Sequence, residues 1–170
     1  MHTGGGMLQC ATTSSSSRIR TTSTSKTRHQ RRKTEEMSPT IFAYNLIAEY
    51  ASNGQKIRYG ELYDAMAPVF GWPKRTPGHA WFKRLPLAQV GSLCGERGEP
   101  CLSSIVRRED KTIGKGYQTA HYNCYGVRIT ANHGCGDECV NCRRAILETA
   151  RKESWKVFDY HWEPIADRAA

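Results

Sequence analysis

Cysteine and histidine side chains are concentrated in one stretch near the C-terminal end of the sequence. His133, Cys135, Cys139 and Cys142 lie within ten residues, and two intervening glycines permit a tight loop. Thiolate and imidazole groups are preferred ligands of zinc, and a closed tetrahedral site needs four of them. The spacing predicts a structural zinc site with these four ligands, or with Cys124 in place of His133. The alternative is a set of unligated thiols in a loop and at the start of a helix.

A second chemical pattern is a segment, residues 72–85, that carries cations and large rings but no acid. Its basic and aromatic side chains are Lys74, Arg75, His79, Lys83, Arg84, Trp72, Trp81 and Phe82. Cations of this kind contact phosphates, while rings stack on bases or sugars. We predict that Lys74, Arg75, Lys83 and Arg84 contact nucleic acid. The alternative is a solvated loop whose rings fill gaps in the core.

The next segment has the pattern of an amphipathic helix. Its apolar stripe consists of Leu87, Val90, Leu93 and Cys94. The opposite face offers Gln89, Ser92 and Arg97, whose side chains are able to reach base edges in a groove of duplex DNA. This is the candidate recognition helix. A polar face that is merely solvated is the alternative.

A hairpin is expected after this helix. The β-branched pair Ile105-Val106 predicts a strand over residues 102–108, followed by a turn. The two glycines that flank Lys115 would then form a flexible tip able to approach a phosphate. The cations of this wing, all expected to contact the DNA backbone, are Arg107, Arg108 and Lys115.

The remaining elements would support this unit. A first helix should begin at Ser38-Pro39, a second should cover residues 60–66, and a last one should begin near residue 138. The aromatic segment beyond it would cover an open side of the domain or meet a protein partner. We expect an α+β, mainly helical fold: a winged helix-turn-helix core, a small β-hairpin and a C-terminal helix. It would form one domain, residues 38–165, with a Cys/His-rich insertion at 121–142.

Several short motifs resemble those of a known family. They are Tyr59-Gly60-x-Leu62, Val90-Gly91, Pro100-Cys101, Val106 and Gly116-Tyr117. In this order they resemble the DNA-binding domain of the alkylguanine-DNA alkyltransferases and of the catalytically silent alkyltransferase-like proteins. The resemblance covers residues 57–117 and implies a winged helix-turn-helix that enters the minor groove and flips a damaged guanine. It would make Tyr59 the residue that helps to rotate the nucleotide and Cys101 the alkyl acceptor.

The chain departs from that family where the chemistry would take place. Leu102 stands in the position of the histidine that activates the acceptor thiol, and Ser103 replaces the arginine that follows it. Ala88 falls where the family has the arginine that fills the space left by the flipped base. A thiol becomes a good nucleophile only as a thiolate, which needs a nearby base or cation. The departures therefore favour a scaffold that binds DNA without altering it.

Composition and charge point to an anionic partner. The net charge is +9; residues 1–36 hold seven Lys/Arg against two acids and so carry +5, which leaves +4 for the rest. This Ser/Thr-rich tail, residues 1–37, should be disordered because it has little to bury. It is either a basic arm for phosphates or a solubilising extension, or translation starts at Met37. The seven cysteines and the lack of a secretion signal or long apolar run predict a cytoplasmic protein without a membrane partner.

A non-catalytic DNA-binding protein that uses a winged helix-turn-helix on duplex DNA is the function we predict. One alternative is a protein-interaction or inhibitor module that uses the zinc knuckle and the aromatic C-terminus. Another is an enzyme: an alkyltransferase-like repair protein acting through Cys101, or a nuclease using Glu99, Glu109 and Lys111.

Overall fold

The computed structural model describes residues 37–129 and 139–166. Expectations for the N-terminal tail, and for His133 and Cys135, concern residues outside these ranges. The described part is mainly helical, as expected, with five α-helices, two turns of 3-10 helix and two short strands.

The first helix, α1 (Pro39–Ser52), begins and ends where the sequence predicted. The Ser38 side chain accepts a hydrogen bond from the Thr40 backbone N–H, and proline occupies the first turn, where no N–H is needed. Five of its residues lie in the core: Ala43, Tyr44, Ile47, Ala48 and Ala51. This helix therefore forms one wall of the domain.

A short strand, β1 (Ile57–Arg58), leads directly into α2 (Tyr59–Met66). The Glu61 carboxylate accepts the backbone N–H of Arg58 at 2.8 Å, which caps the start of the helix. Leu62, Tyr63 and Met66 are buried and form the inward face of this helix.

The centre of the fold is a turn of 3-10 helix, Leu102–Ile105, in which every residue is buried. The expected strand over residues 102–108 is wrong for this half, and β2 is confined to Val106–Arg107. The turn is held by burial, by a backbone hydrogen bond and by a side-chain bond to a distant segment. Ser103 donates to the Leu87 carbonyl, and the Ser104 N–H donates to the Cys101 carbonyl at 3.0 Å, which closes the turn.

The two strands form a parallel pair, with Ile57 opposite Val106 and Arg58 opposite Arg107. The expected β-hairpin is therefore wrong as a pair of strands. The chain does reverse after β2 in a turn with Lys111 at φ 64°, but its return makes an isolated antiparallel bridge between Arg107 and Ile113. The turn is tight, because the N–H of Arg108 and the carbonyl of Thr112 bond at 2.9 Å.

The glycine segment around Lys115 is not the tip of a wing. It leads into α4 (Gly116–Tyr125), a helix that was not predicted from the sequence. The apolar pattern of this helix is weak, and its buried residues are Tyr117, Ala120 and His121. Gly114 lies against the Tyr59 ring, and a Cβ there would come within 3.0 Å of it.

The candidate recognition helix is α3 (Leu87–Glu96), close to its predicted bounds. It packs against α4 through two glycines spaced one turn apart. A Cβ on Gly91 would come within 3.0 Å of the backbone of Ala120, and one on Gly95 would meet the Cys124 carbonyl equally closely. The two helix backbones are therefore in direct contact, which only glycine permits on the α3 side.

The last helix, α5 (Val140–Asp159), packs its inner face on the central turn. Beyond it, the buried Trp162 ring lies 6.0 Å from the Tyr44 ring, and Asn45 exchanges two hydrogen bonds with the Ile165 backbone. The end of the described chain thus covers α1, while Trp155 on α5 is 70% exposed. Within the described residues, no helix combines the length and hydropathy needed to cross a bilayer.

The contact between α3 and α4 predicts that a Gly→Ala substitution in α3 destabilises the protein, which is the opposite of its usual effect in an exposed helix. In an exposed helix Gly→Ala is stabilising by about 1 kcal/mol. Here Gly91→Ala should lower the free energy of unfolding by about 2 kcal/mol, because the new methyl group overlaps the Ala120 backbone. Urea unfolding of the full chain measures it. Glu96→Ala on the same helix is the control, and a Gly91→Ala protein as stable as the original would contradict the contact.

Candidate nucleic-acid interface

An exposed basic turn directly precedes α3. It belongs to the 3-10 turn Trp81–Arg84, in which Phe82, Lys83 and Arg84 are exposed; we call these three residues the basic turn. The Lys83 N–H bonds to the Ala80 carbonyl at 3.0 Å, and Trp81 packs on Tyr63 with ring centroids 5.2 Å apart. These two contacts therefore fix the backbone of the basic turn against the rest of the domain.

The N-terminal end of α3 continues this surface. Gln89 is exposed, and no side chain of the described residues caps the helix at Pro86. The N-terminal end of a helix carries a partial positive charge. Ser92 is half-buried and its hydroxyl donates to the Ala88 carbonyl at 3.3 Å. Among the described residues, Gln89 is therefore the group of the predicted polar face whose side chain is not engaged at this end.

Arg75, predicted to contact nucleic acid, is held in an ion-pair cluster. Its guanidinium donates to both carboxylate oxygens of Asp64, at 2.8 and 2.6 Å, and stacks 5.2 Å from the Trp81 ring. Its Nη1 also lies 3.5 Å from Glu109, which reaches Arg58 at the same distance. These pairs bring the turn after β2 against the segment that carries the basic turn.

Arg97 is engaged at the other end of α3. Its Nε lies 2.6 Å from the buried Glu99 carboxylate, and its guanidinium lies 5.7 Å from the Tyr44 ring. The Tyr44 hydroxyl donates to the other Glu99 oxygen at 2.7 Å, and burial, with this bond, raises the pKa of Tyr44. Arg97 thus connects α3 to α1. Its position does not support the predicted contact with a base edge of DNA.

Arg107 is buried rather than exposed along a wing. Its Nη1 donates to the Ser104 carbonyl, and its Nη2 donates to the Ser154 hydroxyl at 3.1 Å. The guanidinium therefore joins β2 to α5. A phosphate could not reach it without unpacking the domain, so its predicted role as a phosphate ligand lacks support from its position.

Tyr59 is also mostly enclosed. Its hydroxyl lies in the space that a Gly114 side chain would fill, and burial raises the pKa of Tyr59 to about 12. The nucleotide-rotating role that the family resemblance implied for Tyr59 requires an accessible hydroxyl. The enclosed position instead favours packing of α2 against the start of α4.

The other predicted contacts lie at the surface. Lys74 lines an open cleft of about 830 Å³ together with Trp72 and Trp81, and Arg108 is exposed in the turn after β2. Lys115 is exposed just before α4. The described ion pairs involve neither Lys83 nor Arg84. The structure thus separates the predicted cations into a structural group and a surface group.

The groups considered for catalysis are not assembled. Cys101 is fully buried, and a hydrogen bond with Cys124 together with burial raises the pKa of its thiol. Glu99 bonds to Tyr44 and Arg97, whereas Glu109 pairs with Arg58 and Arg75. The two carboxylates therefore have no partner in common.

The predicted zinc ligands are divided by the described ranges. Cys139 and Cys142 lie at the start of α5, half-buried, while His133 and Cys135 fall outside the described residues. Within the described ranges alone, no three His, Cys, Asp or Glu side chains are grouped closely enough to hold a metal ion. The zinc site stays a prediction from sequence.

No family model, curated protein or solved structure matches this chain.

The buried arginine gives a test that separates structure from binding. Arg107→Ala should lower the free energy of unfolding by about 2 to 3 kcal/mol, because it leaves a cavity and removes the buried hydrogen bonds that join β2 to Ser154 of α5. Its exposed neighbour is the matched control: Arg108→Ala should change stability by less than about 0.5 kcal/mol. Denaturant unfolding compares the two, and equal effects would mean that Arg107 is not buried.

The zinc prediction has its own measurement. Purified full chain, dialysed against metal-free buffer, should retain about one zinc per chain by elemental mass spectrometry, since four protein ligands close a structural site. The Cys139→Ser/Cys142→Ser variant should lose it, while Cys94→Ser should not. Metal-free chain with both cysteines intact would contradict the prediction.

Proposed function

We propose that this chain is a non-catalytic DNA-binding protein that holds duplex DNA with the basic turn and the N-terminal end of α3. The observation that carries the proposal is the grouping of Lys83, Arg84 and Gln89. All three side chains are exposed, and they lie within seven residues at one end of a helix. Backbone N–H groups at a helix N-terminus and flanking cations are common contacts to DNA phosphates.

The order of elements supports a winged helix-turn-helix arrangement. In this arrangement α2 and α3 are the two helices of the motif and the turn after β2 is the wing, while α3 itself packs mainly on α4. The connection between the helices is long, residues 67–86, whereas the motif usually has a turn of three or four residues. This longer connection carries the basic turn and the Trp72 and Trp81 rings, so the departure adds cations and rings where the DNA would lie.

The rigidity of the basic turn suits recognition. Leu85 and Leu87, which follow it, are buried, and Trp81 is held between Tyr63 and the Arg75 guanidinium. Groups fixed before binding lose less conformational entropy when they meet a ligand. Gln89, one turn into α3, is then positioned to form a paired hydrogen bond to an adenine edge.

The charge available for phosphates is smaller than the composition implies. Arg75, Arg97, Arg107 and Lys115 have partners within the protein, which leaves Lys74, Lys83, Arg84 and Arg108 as the surface cations of the proposed interface. Each neutralised phosphate contributes a slope of about −0.9 in log affinity against log salt. Four contacts would give a slope of about −3 to −4, a moderate salt dependence.

The proposed function does not include alkyl transfer, because the thiol of Cys101 is buried. An alkyl acceptor must meet the DNA as a thiolate, whereas Cys101 is enclosed and its pKa is raised. The position expected to hold the activating histidine is Leu102, which is buried as well. This chain would bind DNA and leave its covalent structure unchanged.

Removal of the two cations of the basic turn tests the proposal. The double variant Lys83→Ala/Arg84→Ala should bind a fluorescent duplex about tenfold more weakly at about 0.1 M salt, and its salt slope should fall by about 2. Fluorescence anisotropy of the full chain at several salt concentrations measures both. Because these side chains are exposed and unpaired within the described chain, the unfolding midpoint should not change.

The matched control removes the same charge elsewhere. Arg151→Ala/Lys152→Ala changes two exposed cations on α5 and should leave the affinity and slope nearly unchanged. Equal losses in the two double variants would show that general charge attraction, and not the basic turn, holds the DNA.

A further inference from the structure

Three free thiols lie inside the domain and take no part in the proposed DNA interface. Cys94 on α3 and Cys101 before the central turn are fully buried, while Cys124 on α4 is half-buried. They come from three separate segments of the chain. Their meeting therefore depends on the tertiary fold, in particular on the close contact of α3 with α4.

Two of the three thiols lie in the same part of the core. Cys101 belongs to a buried apolar cluster with Tyr117 and Ala120, and Cys124 packs against this cluster. The Cys124 thiol also lies 3.7 Å from the Glu99 carbonyl oxygen. Each sulfur is thus held at its position by neighbouring groups.

The backbone around Cys101 is fixed by a second set of bonds. Its N–H donates to the Tyr125 hydroxyl and to the Glu153 carboxylate, each at 3.1 Å. Tyr125 follows Cys124 on α4 and its hydroxyl also bonds to Glu153. The same contacts that order Cys101 therefore order the end of α4 that carries Cys124.

The pair is asymmetric. Cys101 is fully buried, whereas Cys124 is half-buried and is therefore the thiol that a small oxidant can reach more easily. The thiolate is the form that reacts with oxidants. Cys124 is accordingly the thiol that reacts with the oxidant first, and the buried Cys101 then reacts with the oxidised Cys124.

We propose that Cys101 and Cys124 form a reversible disulfide in the folded protein, with Cys124 as the thiol that reacts with hydrogen peroxide and Cys101 as the resolving thiol. The proposal does not depend on DNA binding, because neither residue belongs to the basic turn or to the exposed face of α3. The bond would join the start of the central turn to α4.

The chemistry proceeds in two balanced steps. The Cys124 thiolate attacks one oxygen of hydrogen peroxide, the O–O bond breaks, and the departing hydroxide takes a proton to leave as water; the product is a sulfenic acid. The Cys101 sulfur then attacks the Cys124 sulfur, the S–O bond breaks, and the Cys101 proton leaves with the hydroxyl group as a second water. Two thiols are oxidised by two electrons and one peroxide is reduced.

The sequence allows the pairing to be mapped directly. Cleavage by trypsin after Arg84, Arg97, Arg107, Lys115 and Arg128 would place Cys94, Cys101 and Cys124 in three different peptides, residues 85–97, 98–107 and 116–128. Reduced full chain would be treated with a slight excess of hydrogen peroxide, its remaining thiols blocked with iodoacetamide, and the digest analysed by mass spectrometry. The expected product joins residues 98–107 to residues 116–128, and dithiothreitol should release both.

Controls separate this pair from general oxidation. The same treatment in denaturant should lose the preference for this pair, and Cys94→Ser should keep it in the folded protein. Cys101→Ser should leave Cys124 as a sulfenic acid that dimedone traps. Two results with the unaltered protein would overturn the proposal. The 98–107 peptide could be recovered fully blocked by iodoacetamide, or it could be joined mainly to a cysteine peptide other than residues 116–128.

Discussion

The close contact between α3 and α4 is the constraint on which the rest of the structure depends. Gly91 and Gly95 let the backbone of α3 meet the backbone of α4 at Ala120 and Cys124. This contact covers one face of α3, while Gln89 near its N-terminal end is exposed. It also places Asn123 of α4 at 3.0 Å from the Ala88 carbonyl, so the first turn of α3 is supported from the neighbouring helix.

The arginines show how the same residue type serves two purposes. Arg75 and Arg107 each join two segments of the chain, through Asp64 and Ser154, and Arg97 contacts the Tyr44 ring of α1 while it pairs with Glu99. Bidentate or buried guanidinium groups are suited to such bonds because their donors are fixed in a plane. The proposed DNA interface therefore rests on fewer cations than the net charge suggests, and its strength comes from their positions.

The helix bounds of α1, α2 and α3 followed from caps, prolines and apolar spacing, which are local features. The central turn did not, because Ile105-Val106 has strand propensity, whereas the turn depends on burial and on the bond from Ser103 to Leu87, which is distant in sequence. Helix α4 was missed because its apolar stripe is weak. The spacing of small residues at Gly91, Gly95 and Ala120 was the available indication of a close helix pair. The roles of Arg97 and Arg107 depend on partners distant in sequence, such as Tyr44 and Ser154.

The central claim is that duplex DNA lies against the basic turn and the start of α3. Its most direct test is an NMR titration of the isotope-labelled full chain with a short duplex, followed by backbone amide shifts. The account predicts the largest shifts at residues 82–89, with smaller ones in the turn after β2. Shifts confined to the outer face of α5, or an unchanged basic turn at saturating duplex, would contradict it.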